Sequence, residues 1–244
     1  DEVGSLTAAD GTSLDARIVQ AGNVTADGGR VQLSVKSARS LVDNSINMSG
    51  VIQARTVSEQ GGSIVLGGGD SGNVLVSGAL DASGLDSGQV GGSVKVLGHL
   101  VGLTDVASVN VSGDAGGGEI LIGGNFQGNG VEQNAFRTFV GSNVSITADA
   151  VSQGDGGRTI VWADDTTRFY GSITSRGGAA GGDGGFTEVS GKQYLAFDPA
   201  GIDLSAVAGA SGTLLLDPVN ITVDNGSADT IAALPGGAGE LLFG

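Results

Sequence analysis

The chain has 244 residues, 47 of them glycine, three prolines, no cysteine and a formal net charge of −15. Glycine at that level without a three-residue period excludes collagen, and the scarcity of proline argues against a Pro-rich linker. The missing cysteines exclude disulfides and thiolate metal sites, and the acidity argues against a nucleic-acid partner, which needs a basic patch to neutralise phosphates.

The amino terminus, Asp1-Glu2-Val3, does not open as a signal peptide, so a mature chain or an internal fragment is expected. No window of 18 apolar residues occurs, so no transmembrane helix is expected. Downstream, a Gly-Gly pair followed by a polar residue and an alternating apolar run recurs. Copies begin Gly28-Gly29-Arg30-Val31, Gly61-Gly62-Ser63-Ile64, Gly91-Gly92-Ser93-Val94, Gly117-Gly118-Glu119-Ile120, Gly156-Gly157-Arg158-Thr159 and Gly184-Gly185-Phe186-Thr187, with a degenerate copy at Gly212-Thr213-Leu214. The steps between them are 33, 30, 26, 39, 28 and about 28 residues. A second strand type lies between the copies, as in Val74-Leu75-Val76-Ser77-Gly78-Ala79-Leu80 and Phe169-Tyr170-Gly171-Ser172-Ile173. Asn opens several strands: Asn23, Asn73, Asn143 and Asn220. Short helical excursions are predicted at Val35 to Asn44, where Val35, Ala38, Leu41 and Val42 share a helical face, and at Ala206 to Ala210 and Asp229 to Leu234.

Each strand carries three or four apolar residues, too few for a core of its own. Stacking the units buries a continuous apolar column. Glycine is expected to supply positive-φ corners, and Asn to stack in hydrogen-bonded ladders. A period near 30 with two or three short strands suits one coil of a β-solenoid better than a four-stranded propeller blade. The prediction is all-β: a single elongated domain over residues 1–244, a parallel β-helix of roughly eight to twelve coils and on the order of 40 to 60 Å long at one strand spacing per coil.

The ordered motifs GGSIVLGGG, VSGALDASG, GGEILIGG, SITADAVSQGDGGRTIVWADDTTRFYGSI, GGDGGFTEVSG and GTLLLDPVNITV carry a resemblance. Over roughly residues 20 to 225 they are similar to the repeat region of filamentous-haemagglutinin-like exoproteins, secreted by bacteria through two-partner systems. The resemblance implies a right-handed parallel β-helix, an outer-membrane transporter as partner during secretion, and an adhesin, biofilm or contact-toxin role. The Asn-Pro-rich signatures of the family's secretion domain and a toxin domain are not seen, so the resemblance implies a shaft segment.

Several residues invite a chemical reading. His99, the only histidine, lacks a neighbouring Ser-Asp constellation and reads as a surface residue. The GDGG of residues 154–157 and GGDGG of residues 181–185 place Asp155 and Asp183 about 28 residues apart, so stacked coils bring them together as calcium ligands or as plain turns, the latter favoured. Asp164 and Asp165 alternate in direction if extended and cap a turn otherwise. Trp162, Phe169 and Tyr170 form either a sugar-stacking platform or packed corners. Arg176-Gly177-Gly178 is not an Arg-Gly-Asp motif, and Thr166-Thr167 lacks the Thr-x-Thr rank of an ice-binding surface.

The favoured function is a non-catalytic structural shaft of a secreted bacterial adhesin or filament, without cofactor, metal or catalytic residues. Its expected partners are a host-cell, glycan or matrix surface, with self-association through ends whose apolar rhythm continues to Leu241-Leu242-Phe243. The alternative is a carbohydrate-binding or carbohydrate-cleaving β-helix, which requires Tyr170, Asp164, Asp165 and Lys192 to converge.

Overall fold

The computed structural model describes residues 16–35, 44–58 and 60–219. Seven coils of three strands follow one another among these residues. Coil 1 is β1 (Ala16–Gln20), β2 (Asn23–Thr25) and β3 (Arg30–Ser34). Coil 2 is β4 (Asn44–Met48), β5 (Val51–Gln53) and β6 (Ser63–Gly67), and coil 3 is β7 (Asn73–Val76), β8 (Ala79–Asp81) and β9 (Ser93–Leu97). Coil 4 is β10 (Leu100–Leu103), β11 (Ser108–Asn110) and β12 (Glu119–Ile122), and coil 5 is β13 (Arg137–Val140), β14 (Ser145–Thr147) and β15 (Arg158–Ala163). Coil 6 is β16 (Thr166–Phe169), β17 (Ser172–Thr174) and β18 (Phe186–Gly191), and coil 7 is β19 (Tyr194–Phe197), β20 (Gly201–Asp203) and β21 (Thr213–Leu215).

Every third strand pairs in parallel, giving three sheets of seven strands. The chain is thus an all-β parallel solenoid. Its seven described coils span about 30 to 35 Å at one strand spacing per coil.

Alternation turns one side chain in two inward, and the register superimposes them. In the first sheet Ile18, Ile46, Val74, Val101, Thr138, Thr167 and Leu195 stack. In the second, Val24, Ile52, Leu80, Val109, Ile146, Ile173 and Ile202 stack. In the third, Val31, Ile64, Val94, Ile120, Thr159, Thr187 and Leu214 stack. These columns line one continuous core, where each fully buried aliphatic side chain contributes about 1.5–3 kcal/mol. Four threonines enter it: Thr138 Oγ1 donates to Trp162 O (2.7 Å) and Thr167 Oγ1 to Ser190 O (2.7 Å), tying the first sheet to the third within one coil, whereas the buried hydroxyls of Thr159 and Thr187 have no hydrogen-bond partner among the described residues.

The repeat glycines act differently from expectation. Of those opening the repeats only Gly28 has a positive φ, 71°. Most of the others are needed for close approach, Gly61 excepted, where a Cβ would meet only Gly92 Cα at 3.8 Å. A Cβ on Gly92 would lie 2.2 Å from Gly62 O, on Gly118 2.0 Å from Gly92 O, on Gly157 2.3 Å from Gly118 O, and on Gly185 2.1 Å from Gly157 O. The same corner hydrogen bond recurs with them, from Gly92 N to Ala82 O, Gly118 N to Val111 O, Gly157 N to Ala148 O and Gly185 N to Ser175 O, at 2.6–2.8 Å. The asparagine ladder does not form among the described residues. Asn23 pairs in register with Val51 and Asn73 with Leu100, and the non-glycine residues with positive φ are Ser58, Asp105 and Gln127.

One helical excursion is also corrected. Ala206 to Ala210 is irregular chain with bends, and Gly209 passes close to Gly182 O (2.2 Å from a built Cβ). Val35 is irregular and Asn44 opens β4, while residues 36–43, Asn220, Asp229 to Leu234 and Leu241 to Phe243 lie outside the described residues. The helix that does form was not foreseen: a single 3-10 turn at Phe126–Gly128. It lies inside the longest repeat step. Among the described residues no helix is long and apolar enough to cross a membrane.

Candidate functional site

The segment Gly154 to Ile173 holds most of the residues singled out by sequence, and the solenoid separates them. Trp162, next to last in β15, points outward from the third sheet, yet it is 4% exposed. Phe169 points inward and stacks on Phe197 of the next coil, with ring centroids 6.0 Å apart. Tyr170 sits half-buried outside the first sheet, edge-on to Phe139 at 6.0 Å. The three rings therefore share no platform.

Asp164 and Asp165 form the turn from β15 to β16. Asp164 Oδ1 accepts from Trp162 Nε1 and Asn134 Nδ2, both at 3.1 Å. Asp165 Oδ2 accepts from Arg137 Nε (2.8 Å) and Thr166 Oγ1 (3.1 Å), and the Arg137 bond holds its carboxyl below the usual range. Lys192 lies one coil on, its backbone N–H donating to Ala163 O, whereas Tyr170 follows the far end of β16. The convergence required for a glycan-cleaving site is absent among these four residues. Asp155 and Asp183 do stack in adjacent coils. Their carboxylates accept the backbone N–H of Asp183 and of Ala210, each at 2.8 Å, which makes them turn caps repeated at one corner. No group of three or more potential metal ligands occurs among the described residues. Arg176 is held bidentately by the buried Asp149 (2.7 and 3.1 Å). Thr166 and Thr167 face opposite sides of β16.

Two constellations stand out from the structure instead. The first is a strap. Residues 124–136 leave the coil after β12 and cross the outer face of the third sheet before β13. The outward row of that sheet reads Gln32, Val65, Lys95, Leu121, Ile160, Glu188 and Leu215. Gln32 is exposed, but Leu121, Ile160 and Glu188 are each 0% exposed because the strap covers them. Leu121, Ile160 and Trp162, with Phe186 against them, make a second apolar cluster outside the main core. The strap needs glycine to lie this close: a Cβ on Gly128 would be 2.6 Å from the Trp162 ring, and Gly128 has φ 67°.

The strap is pinned along its length. Gln133 Nε2 donates to Gly69 O (3.0 Å), and Glu132 pairs with Lys95 Nζ (2.6 Å) and accepts from Asn125 Nδ2 (2.7 Å). Those bonds, with Lys95 first, hold the Glu132 carboxyl down at about 2. Phe126 packs edge-on to Phe186 at 5.8 Å, with the Arg158 guanidinium 5.7 Å above its ring. Gln127, at φ 52°, donates its backbone N–H to both oxygens of Glu188 (3.0 and 3.2 Å) and its side-chain amide to Asp217 (3.0 Å). Burial pushes the Glu188 carboxyl up to about 7.

The second constellation is an aromatic and basic face on the first sheet. Phe136 (42% exposed), Phe139 (38%) and Tyr194 (55%) lie open on or beside its outer side, near Tyr170. His99 stacks on Phe136 at 5.5 Å and the Arg137 guanidinium lies 5.0 Å over the same ring. A shallow groove of about 410 Å³ runs between Arg137, Phe139, Thr166 and Arg168. Among the described residues Arg168 makes no ion pair, in a chain of net charge −15. Neither Glu188 nor Arg168 was singled out by sequence. The available signals were the 39-residue repeat step and apolar residues at outward positions of β12 and β15.

No family model matches the sequence and no curated protein matches it. Among solved structures the chain is similar to the crystal structure of the HMW1 secretion domain from Haemophilus influenzae, with a TM-score of 0.62 and 27% identity, covering 82% of this chain and 49% of that one. The chain spans about half the length of that structure. The filamentous-haemagglutinin-like resemblance of the motifs therefore stands on a β-helix shared with a secretion domain, without a family match.

Proposed function

We propose that the chain is a non-catalytic shaft segment of a secreted bacterial surface adhesin, exported with an outer-membrane transporter and carrying a binding function to host-cell, glycan or matrix surfaces. The observation that carries this reading is the uninterrupted register of three seven-stranded sheets around one apolar core. Such a stack transmits load along its axis through backbone hydrogen bonds and holds neighbouring segments apart. The likeness to a secretion domain is compatible with an adhesin-type shaft.

A shaft tolerates a change in length that a site does not. Deleting residues 73–99 removes one whole coil and joins Gly72 to Leu100, which occupies the register position of Asn73. The shortened chain, displayed in its parent protein on the cell surface, is expected to support adherence at the parental level. Loss of adherence with folding and display intact would refute the shaft reading.

The aromatic and basic face favours a second reading, glycan binding at the groove between Arg137 and Arg168. Binding to a glycan array that disappears in Phe139→Ala and Arg168→Ala variants would support it. A blank array together with no release of reducing sugar leaves the shaft as the function.

A further inference from the structure

We propose that residues 124–136 form a conformational strap whose closure over the third sheet is set by the protonation state of Glu188, tighter in acid and looser in base. The geometry points to this carboxyl. Glu188 sits in an outward row between Ile160 and Leu215 and is 0% exposed, with the strap lying across it. Both of its oxygens face the backbone N–H of Gln127, the central residue of the 3-10 turn, and among the described residues no cation pairs with it. Opening the strap restores water to the carboxylate, whereas closing it over the ionised form buries a charge. Burying a charge without a partner is costly and burying a neutral acid is much less so.

The surrounding groups do not neutralise it. From β15, Arg158 reaches Glu119 of β12 (3.0 Å) and Asn125 of the strap (3.4 Å). After β21, Asp217 adds a like charge that raises the Glu188 carboxyl further, while the Gln127 N–H, the Ser190 hydroxyl of its own strand and, least, the nearby charge of Arg158 lower it. On the strap, Glu132 is satisfied by Lys95 of β9 and by Asn125. Asn134 and Trp162 both donate to Asp164. His99 stacks under Phe136 where the strap rejoins the coil.

The sign is fixed by where the proton binds more tightly. In the closed form Glu188 holds its proton up to about pH 7, against the ordinary value of 4.5 when the strap is open. The contribution of Glu188 to closure is therefore complete below pH 4.5 and weakens as pH rises to 7. These two values make the closing equilibrium about thirtyfold weaker at pH 8 than at pH 5.5.

Hydrogen exchange of the intact protein reads this directly, as protection factors that divide out the intrinsic pH dependence of exchange. Protection of the amides of residues 126–129 is expected to fall about thirtyfold from pH 5.5 to 8, while β8 and β11 stay constant. In Glu188→Gln the fall disappears, and in His99→Asn it persists. A flat wild-type profile, a fall retained in Glu188→Gln or a fall abolished in His99→Asn overturns the proposal. Should Glu188→Gln not fold, carbon-13 titration of the wild-type Glu188 carboxyl decides: a midpoint near 7 supports the strap, and one in the ordinary carboxylate range overturns it.

Discussion

Substituting Gly118 by alanine tests the close-approach role of the corner glycines. The new Cβ would lie 2.0 Å from Gly92 O, 2.7 Å from Gly91 C and 2.9 Å from Gly91 O, all backbone atoms of the preceding coil. Relief to an ordinary contact near 3.4 Å requires the coils to part by roughly 1.4 Å at that corner. Overpacking of this kind costs about 1–3 kcal/mol. Parting also stretches two hydrogen bonds, Gly118 N to Val111 O (2.8 Å) and Glu119 N to Gly92 O (3.0 Å), at about 0.5–1.5 kcal/mol each. Together these give about 2–6 kcal/mol, or a melting-temperature loss of roughly 4–24 °C for a domain of this size. The matched control is Gly201→Ala, where a built Cβ meets nothing within 4 Å. That change is expected to be neutral or slightly stabilising, through the unfolded chain. Thermal melts followed by far-ultraviolet circular dichroism compare the two. Equal melting temperatures for Gly118→Ala and Gly201→Ala would refute the claim that these glycines exist to let coils approach.

Ile120→Ala, in the fully buried column of the third sheet, is expected to cost about 2–5 kcal/mol in urea unfolding, whereas Val106→Ala, at 74% exposed, stays within about 0.5 kcal/mol. The Glu132 carboxyl, held down at about 2 from an ordinary 4.5, stabilises the closed strap above pH 4.5 and loses that contribution as pH falls through 2. Lys95→Met is expected to move this acid loss to higher pH in exchange measurements of residues 130–134. Calcium is expected to leave the melting temperature unchanged, because Asp155 and Asp183 already accept backbone N–H groups; a rise that vanishes in Asp155→Asn would show a site.

The solenoid itself was legible because its determinants are local and repeated. Alternation in Ser63 to Gly67 and Ser93 to Leu97, each opened by a Gly pair, fixes both strand and face, and the repeat length brings equivalent positions into register. The reason for the glycines was not legible. Positive φ and steric proximity both demand glycine, and only the folded coils show that Gly92 and Gly118 are of the second kind against the preceding coil and Gly62 against Ala54 of its own. The separation of Trp162 from Phe169 followed from alternation, but the covering of Trp162 did not, since its partners at Gly124 and Gly128 lie more than thirty residues away in sequence. Glu188 was hidden for the same reason. A glutamate in an outward position reads as a solvated charge until the segment lying on it is known. The stack of Asp155 on Asp183 was foreseen, and their hydrogen-bonding to backbone amides distinguishes a turn cap from an open ligand.

The strap enters after Ile122 and returns before Thr138, yet Ile122 still pairs with Val161 and Val101 with Thr138. Thirteen residues have thus been spliced into one corner without displacing any rung on either side. Loop closure grows only slowly with length, by about 0.6 kcal/mol per doubling, so the corner leaving the third sheet is a natural docking port for inserted sequence. The equivalent corner between β9 and β10, at Gly98 and His99, has the same entry and exit. A foreign epitope grafted there would be carried at a fixed height along the solenoid, set by the number of coils on either side of the corner.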